Sequence, residues 1–100
     1  MDKDVLTMEN ISAVVKPIAS KYNVEAIYLF GSYARGEATA ESDLDFLVLG
    51  GSLFKKILIF ALAEELREAF GKAVDVFEIH EINQGSTFYK NIMKERKLLA

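Results

Sequence analysis

The sequence predicts an α+β domain: a small mixed β-sheet with helices packed mainly on one face. Three observations lead there. Runs rich in β-branched and aromatic residues at 24–30, 43–49 and 73–79 have strand length and are bounded by Gly, Asn and Ser. Stretches with helical periodicity at 8–22, 53–70 and 87–97 flank and separate them. The resulting order (helix, strand, loop, strand, long helix, strand, helix) fits a sheet that mixes parallel and antiparallel pairs.

Thr7 is placed to cap the first helix, where Ile11, Val14, Val15, Ile18 and Tyr22 recur on one side. Pro17 falls inside this pattern and is expected to kink the helix or divide it in two. Asn23 suits the helix end. In the first strand Ala26, Ile27, Tyr28, Leu29 and Phe30 leave both faces apolar, as in a covered strand. A polar connection over 36–42 leads to the second strand, which Gly50-Gly51-Ser52 ends.

Ser52 is the expected N-cap of the long helix, and Gly71 its stop. Leu58, Ile59, Leu62, Leu66, Ala69 and Phe70 form a stripe wide enough to cover a sheet. Phe54, Ile57, Phe60 and Ala61 fall mostly on the other side. That second stripe is either covered by the first helix or left for a helical partner or a second copy of the chain, held through Phe54, Ile57 and Phe60. In the third strand Asp75 stands alone among Val74, Val76 and Phe77. It is either a costly buried acid with a role or an acid pointing out from an edge strand. His80 has no ligand spacing and receives no role. Gly85-Ser86 cap the last helix, with Phe88, Ile92 and Tyr89 turned inward and Lys90, Lys94, Arg96 and Lys97 forming a solvated face.

Composition narrows the function. One hundred residues, half of them hydrophobic, suit a single globular domain over 1–100. The absence of cysteine excludes disulfides and thiolate metal sites and fits a reducing, cytoplasmic setting. Asp2, Lys3 and Asp4 open the chain without the apolar core of a signal peptide. The longest apolar run, 57–63, is far short of the roughly 20 residues of a membrane span. A net charge of −3 with no basic tract argues against general nucleic-acid binding.

The chemistry concentrates between Leu29 and Leu49. An apolar strand runs into Gly31-Ser32, where backbone N–H groups of a turn or short helix can face an anion such as phosphate, and glycine lacks the Cβ that would hold the anion off. Asp43 and Asp45, two apart on a strand, project from one face and repel each other. A divalent cation reverses that penalty, the usual purpose of such a pair near phosphates. Arg35 either reaches a phosphate or braces the turn through a carboxylate such as Glu37 or Glu41.

Gly31-Ser32, ten residues, then Asp43-Leu44-Asp45 resembles the signature of the DNA polymerase β-like nucleotidyltransferase superfamily. The form Gly-Ser-Tyr-Ala-Arg-Gly followed by Ser-Asp-Leu-Asp is similar to its minimal members, the MNT proteins that often act as antitoxins to HEPN-domain toxins. The resemblance covers about residues 11–79. It implies the nucleotidyltransferase palm, with no room for the domains that larger relatives use to hold an acceptor. It implies transfer of a nucleoside monophosphate, AMP from ATP, to a hydroxyl, with release of pyrophosphate. Gly31, Ser32 and Arg35 would bind the nucleotide. Asp43, Asp45 and Asp75 would be the catalytic acids holding two Mg²⁺ ions, and the acceptor would be a tyrosine of a HEPN toxin. The reading from another class is a non-catalytic antitoxin that neutralises its partner by binding alone.

Overall fold

The structure, a computed structural model, describes residues 5–100; Asp2, Lys3 and Asp4 lie outside the described residues. Helix α1 (Met8–Lys21) precedes strand β1 (Ala26–Phe30) and the one-turn helix α2 (Ser32–Arg35). Strand β2 (Leu44–Leu49), helix α3 (Ile59–Phe70) and strand β3 (Val74–Glu78) follow, then helix α4 (Thr87–Glu95) and the two-residue strand β4 (Lys97–Leu98). The sheet order is β3-β2-β1-β4, with β1 antiparallel to both β2 and β4, and β2 parallel to β3 across the α3 crossover. The expected mixed sheet is therefore present, with one strand more than the sequence pattern announced.

Alternation along the strands separates two cores. Ile27 and Leu29 of β1, Leu44, Phe46 and Val48 of β2, and Val74 of β3 pack against Ile11, Val15 and Ile18 of α1 and Leu62 and Leu66 of α3. On the opposite face Phe30 and Leu47 meet Ile79, Ile82 and Ile92, the last from α4. Both larger helices thus share one face, as expected. Asp45 and Asp75 alternate with core residues and fall on the face that α4 covers only in part.

Several local expectations are corrected. Helix α1 runs through Pro17 undivided, capped by Thr7, whose hydroxyl accepts the Asn10 N–H at 3.1 Å. The long helix does not start at Ser52: the chain passes through a 3-10 turn at Lys56–Leu58 before α3 begins. Phe54, ahead of that turn, is thereby free to fold into the core and is only 8% exposed, whereas Ile57 and Phe60 are each 78% exposed. Ala69 is exposed, whereas Ala63 is buried. Helix α4 ends at Glu95 because Arg96 turns to extended backbone and leads into β4. Arg96 lies over the Tyr28 ring at 4.7 Å rather than only in solvent. Phe88 is 45% exposed, not turned inward.

Candidate active site

Strand β1 delivers the chain to Gly31, whose φ of +79° belongs to glycine's territory, and α2 begins at the next residue. A Cβ at this position would overlap the Asp45 Oδ2 and approach its Cγ to 3.0 Å. The bare glycine is therefore what lets the acid of β2 lie against the turn. Register explains the closeness: Phe30 pairs with Asp45, and Asp45 pairs with Asp75 on its other side. Asp43, two residues before Asp45, projects from the same face just ahead of the strand.

One cleft of about 520 Å³ is lined by all six residues singled out from the sequence: Gly31, Ser32, Arg35, Asp43, Asp45 and Asp75. Asp75 sits on the edge strand and is open to solvent, so the expectation of a buried lone acid is corrected. It is not alone either, since Asp45 is its partner across the ladder. The Asp45 carboxyl is pushed up to about 6, first by burial, then by the charges of Asp75 and Asp43, with Arg35 opposing. Among the described residues no three acidic or histidine side chains converge as a ready-made metal shell. The acids nevertheless fit a divalent cation, because their mutual repulsion and the raised Asp45 are what a cation relieves.

Arg35 makes the bracing contacts that the sequence offered as one alternative, while still lining the cleft. Its Nε donates to Glu37 Oε1 at 3.0 Å, and its Nη1 to Glu95 Oε1 and Oε2 at 3.2 and 3.3 Å. Glu95, from the end of α4, also accepts the Gly31 N–H at 2.9 Å. Sequence reasoning missed Glu95: it lies far along the chain, and its spacing signals nothing. Also missed was an aromatic wall in the same cleft, made by Phe30, Phe77 and Phe88. Phe77 and Phe88 meet edge to face at 5.4 Å between centroids. The alternation that puts Asp75 in the cleft puts Phe77 there too, a signal that was available.

His80 acquires a structural contact at the far end of β3. Its N–H and Nδ1 lie 2.7 and 3.0 Å from the buried Glu78 carboxylate, which also accepts the Gly50 N–H at 3.2 Å. Burial raises the Glu78 carboxyl, but these hydrogen bonds outweigh it and hold the group below its ordinary value. A second cleft, about 430 Å³, opens between Asn23, Glu25 and Gly51, and Glu25 is its only acid.

Residues 13–100 match the family model described as "Polymerase beta, Nucleotidyltransferase". The protein adenylyltransferase MntA of Thermococcus cleftensis is 30% identical over 95 residues, covering 91% of this chain and 94% of that protein. Among solved structures, a toxin-antitoxin crystal structure with AMP-PNP superposes with a TM-score of 0.75 at 24% identity, over 89% of this chain and 72% of the other. The tri-AMPylated Shewanella oneidensis HEPN toxin in complex with MNT antitoxin gives 0.71 at 21%, over 94% and 72%. At such identities these two likenesses speak to the fold.

Proposed function

This chain belongs to the polymerase β nucleotidyltransferase family, and on that premise we propose that it transfers AMP from ATP to a tyrosine hydroxyl of a HEPN-domain toxin and so silences it. The observation that carries this reading is the pairing of Asp45 with Asp75 beside the Gly31-Ser32 turn in one cleft. Nucleotidyltransferases of this family generally work with a divalent metal. Asp43, Asp45 and Asp75 would hold it here, as two Mg²⁺ ions that neutralise phosphate charge and acidify the acceptor hydroxyl.

The turn's own share is phosphate binding. The Gly31 N–H is already given to Glu95, so the donors left to a triphosphate are the Ser32 hydroxyl and the N–H groups of Ser32 and Tyr33, which no preceding helical carbonyl takes. Asp75, on the open edge, accepts the proton of the incoming hydroxyl. The hydroxyl oxygen bonds to the α-phosphorus as the bond to pyrophosphate breaks, and pyrophosphate leaves with the charge. Phe77 and Phe88 present exposed aromatic surface within the same cleft, which favours a flat acceptor such as a tyrosine ring. A cytoplasmic setting, where ATP is at hand, fits this reading.

Incubation with Mg²⁺, α-labelled ATP and the HEPN partner tests this reading. Label on a partner tyrosine with matching pyrophosphate is the expected result; an unlabelled partner in a stable complex would overturn it. The second reading, neutralisation by binding alone, is favoured by the exposed Ile57 and Phe60. Absence of Mg²⁺-dependent ATP binding by the isolated chain would select it.

A further inference from the structure

Glu95 is the last residue of α4, on an element the phosphate turn does not otherwise need. Its Oε1 accepts the Gly31 N–H at 2.9 Å, and both its oxygens lie within 3.3 Å of Arg35 Nη1. Its side chain is only 22% exposed. Gly31, Ser32 and Arg35 line the cleft, whereas Glu95 is not among the lining residues. The carboxylate therefore grips the turn from beside the cleft rather than from within its lining.

Two consequences follow for the turn. The Gly31 N–H is the first donor of a segment held at a φ of +79°, and a charge-assisted bond fixes its direction. With Gly31 fixed, the Ser32 and Tyr33 N–H groups at the start of α2 are aimed as well. Arg35, at the other end of α2, is held between Glu95 and Glu37. One carboxylate thus reaches both ends of the one-turn helix.

We propose that Glu95 is a positioning residue for the transfer reaction, locking the Gly31-Ser32 turn and Arg35 in the geometry that receives the triphosphate. This rests on the nucleotidyltransferase reading above.

The test uses the full chain with Glu95→Ala and Glu95→Gln, the latter retaining an oxygen that can accept the Gly31 N–H. Without nucleotide, amide exchange and the chemical shift of Gly31 read the bond itself. With Mg²⁺, ATP and adenosine are titrated separately. Glu95→Ala should expose the Gly31 amide to exchange and weaken ATP binding roughly tenfold, the worth of one charge-assisted hydrogen bond. Adenosine, which has no phosphate to misplace, should bind as before, and Glu95→Gln should recover most of the ATP affinity. Should Glu95→Ala fail to fold, Glu95→Asp, one methylene too short to reach both Gly31 and Arg35, carries the same expectations. An unchanged Gly31 amide, equal losses for ATP and adenosine, or a Gln variant no better than Ala would overturn the proposal. Wild-type protein that bound no ATP would overturn the transferase reading instead, and the Gly31 amide would still decide for or against Glu95.

Discussion

Asp45 and Asp75 are direct register partners on the parallel β2–β3 ladder, with Phe30 completing the row on the far side of Asp45. Two acids on adjacent strands at the same level repel unless a proton or a cation lies between them, and the Asp45 carboxyl is raised first by its burial and then by this repulsion. Asp45→Asn should therefore lower AMP transfer by a factor on the order of 10² or more. The variant should melt no lower than wild type in metal-free buffer. Full transfer by a folded Asp45→Asn protein would remove this acid from the site.

The same acid fixes the sign of a pH effect. Its folded value, about 6, lies above the ordinary 3.8, so the folded state holds the extra proton between these values. Stability from this group is intact below 3.8, declines as pH rises toward 6 and stays reduced above it. Glu78 acts in the opposite sense: its carboxyl lies below its ordinary 4.5, so its contribution is present above that pH and is lost on further acidification. Denaturant melts of wild type and Asp45→Asn from pH 3 to 8 should differ in pH slope mainly across the Asp45 window, and in stability most above it. Added Mg²⁺ should raise wild-type stability above pH 6 and leave Asp45→Asn less affected.

The two glycines that bracket α2 differ both in backbone region and in what a Cβ would meet. Gly36 (φ +74°, ψ 23°) lies in the left-handed helical region, where alanine is strained by roughly 1–2 kcal/mol, whereas Gly31 (φ +79°, ψ −158°) lies in a region essentially reserved for glycine. At Gly36 nothing lies within 4 Å of a new Cβ, and that strain is the whole cost. At Gly31 the Cβ meets the Asp45 carboxylate, so the acid or the turn must move. Gly31→Ala should lose more stability than Gly36→Ala and should also lose Mg²⁺-dependent ATP binding, read by melting and calorimetric titration. Equal behaviour of the two would mean that the contact is unimportant.

What the sequence displayed and what it hid divide along physical lines. The strands, the Thr7 and Ser86 caps, the Gly31-Ser32 turn and the three acids were legible because each rests on a local rule: alternation, capping, or an acid in an apolar run. Strand β4 was not, since two residues carry no period of their own and Lys97 and Leu98 gain their conformation only from pairing with Leu29 and Tyr28. Phe54 was misplaced because helical periodicity was extended back to Leu53, with Ser52 as the cap. The chain instead spends several residues outside the helix, and Phe54 packs close to Gly50, where a Cβ would come within 2.7 Å of its ring. Glu95 was invisible because a carboxylate's partner many residues away leaves no spacing to read.

That correction splits the apolar residues near α3 into testable halves. Phe54→Ala should cost about 3–5 kcal/mol, as for other core phenylalanines, measured by denaturant unfolding. Ile57→Glu with Phe60→Glu removes only exposed surface and should leave unfolding within about 0.5 kcal/mol of wild type. If those two side chains form a contact with a partner or a second copy, the double variant should reduce the associated mass seen by light scattering. Unchanged association would free that patch of any such task.

The parallel pairing of β2 with β3 also sets when the site comes into being. A hairpin can zip locally, but a parallel pair must wait for its whole crossover, here all of α3, to be laid across the sheet. Asp43 and Asp45 arrive with the β1–β2 pairing, and Asp75 joins them only once that long loop has closed. A chain caught partway through folding would carry the turn and two acids without the third. Any cation that needs all three would then hold back the unfolding of finished molecules without hastening the folding of unfinished ones.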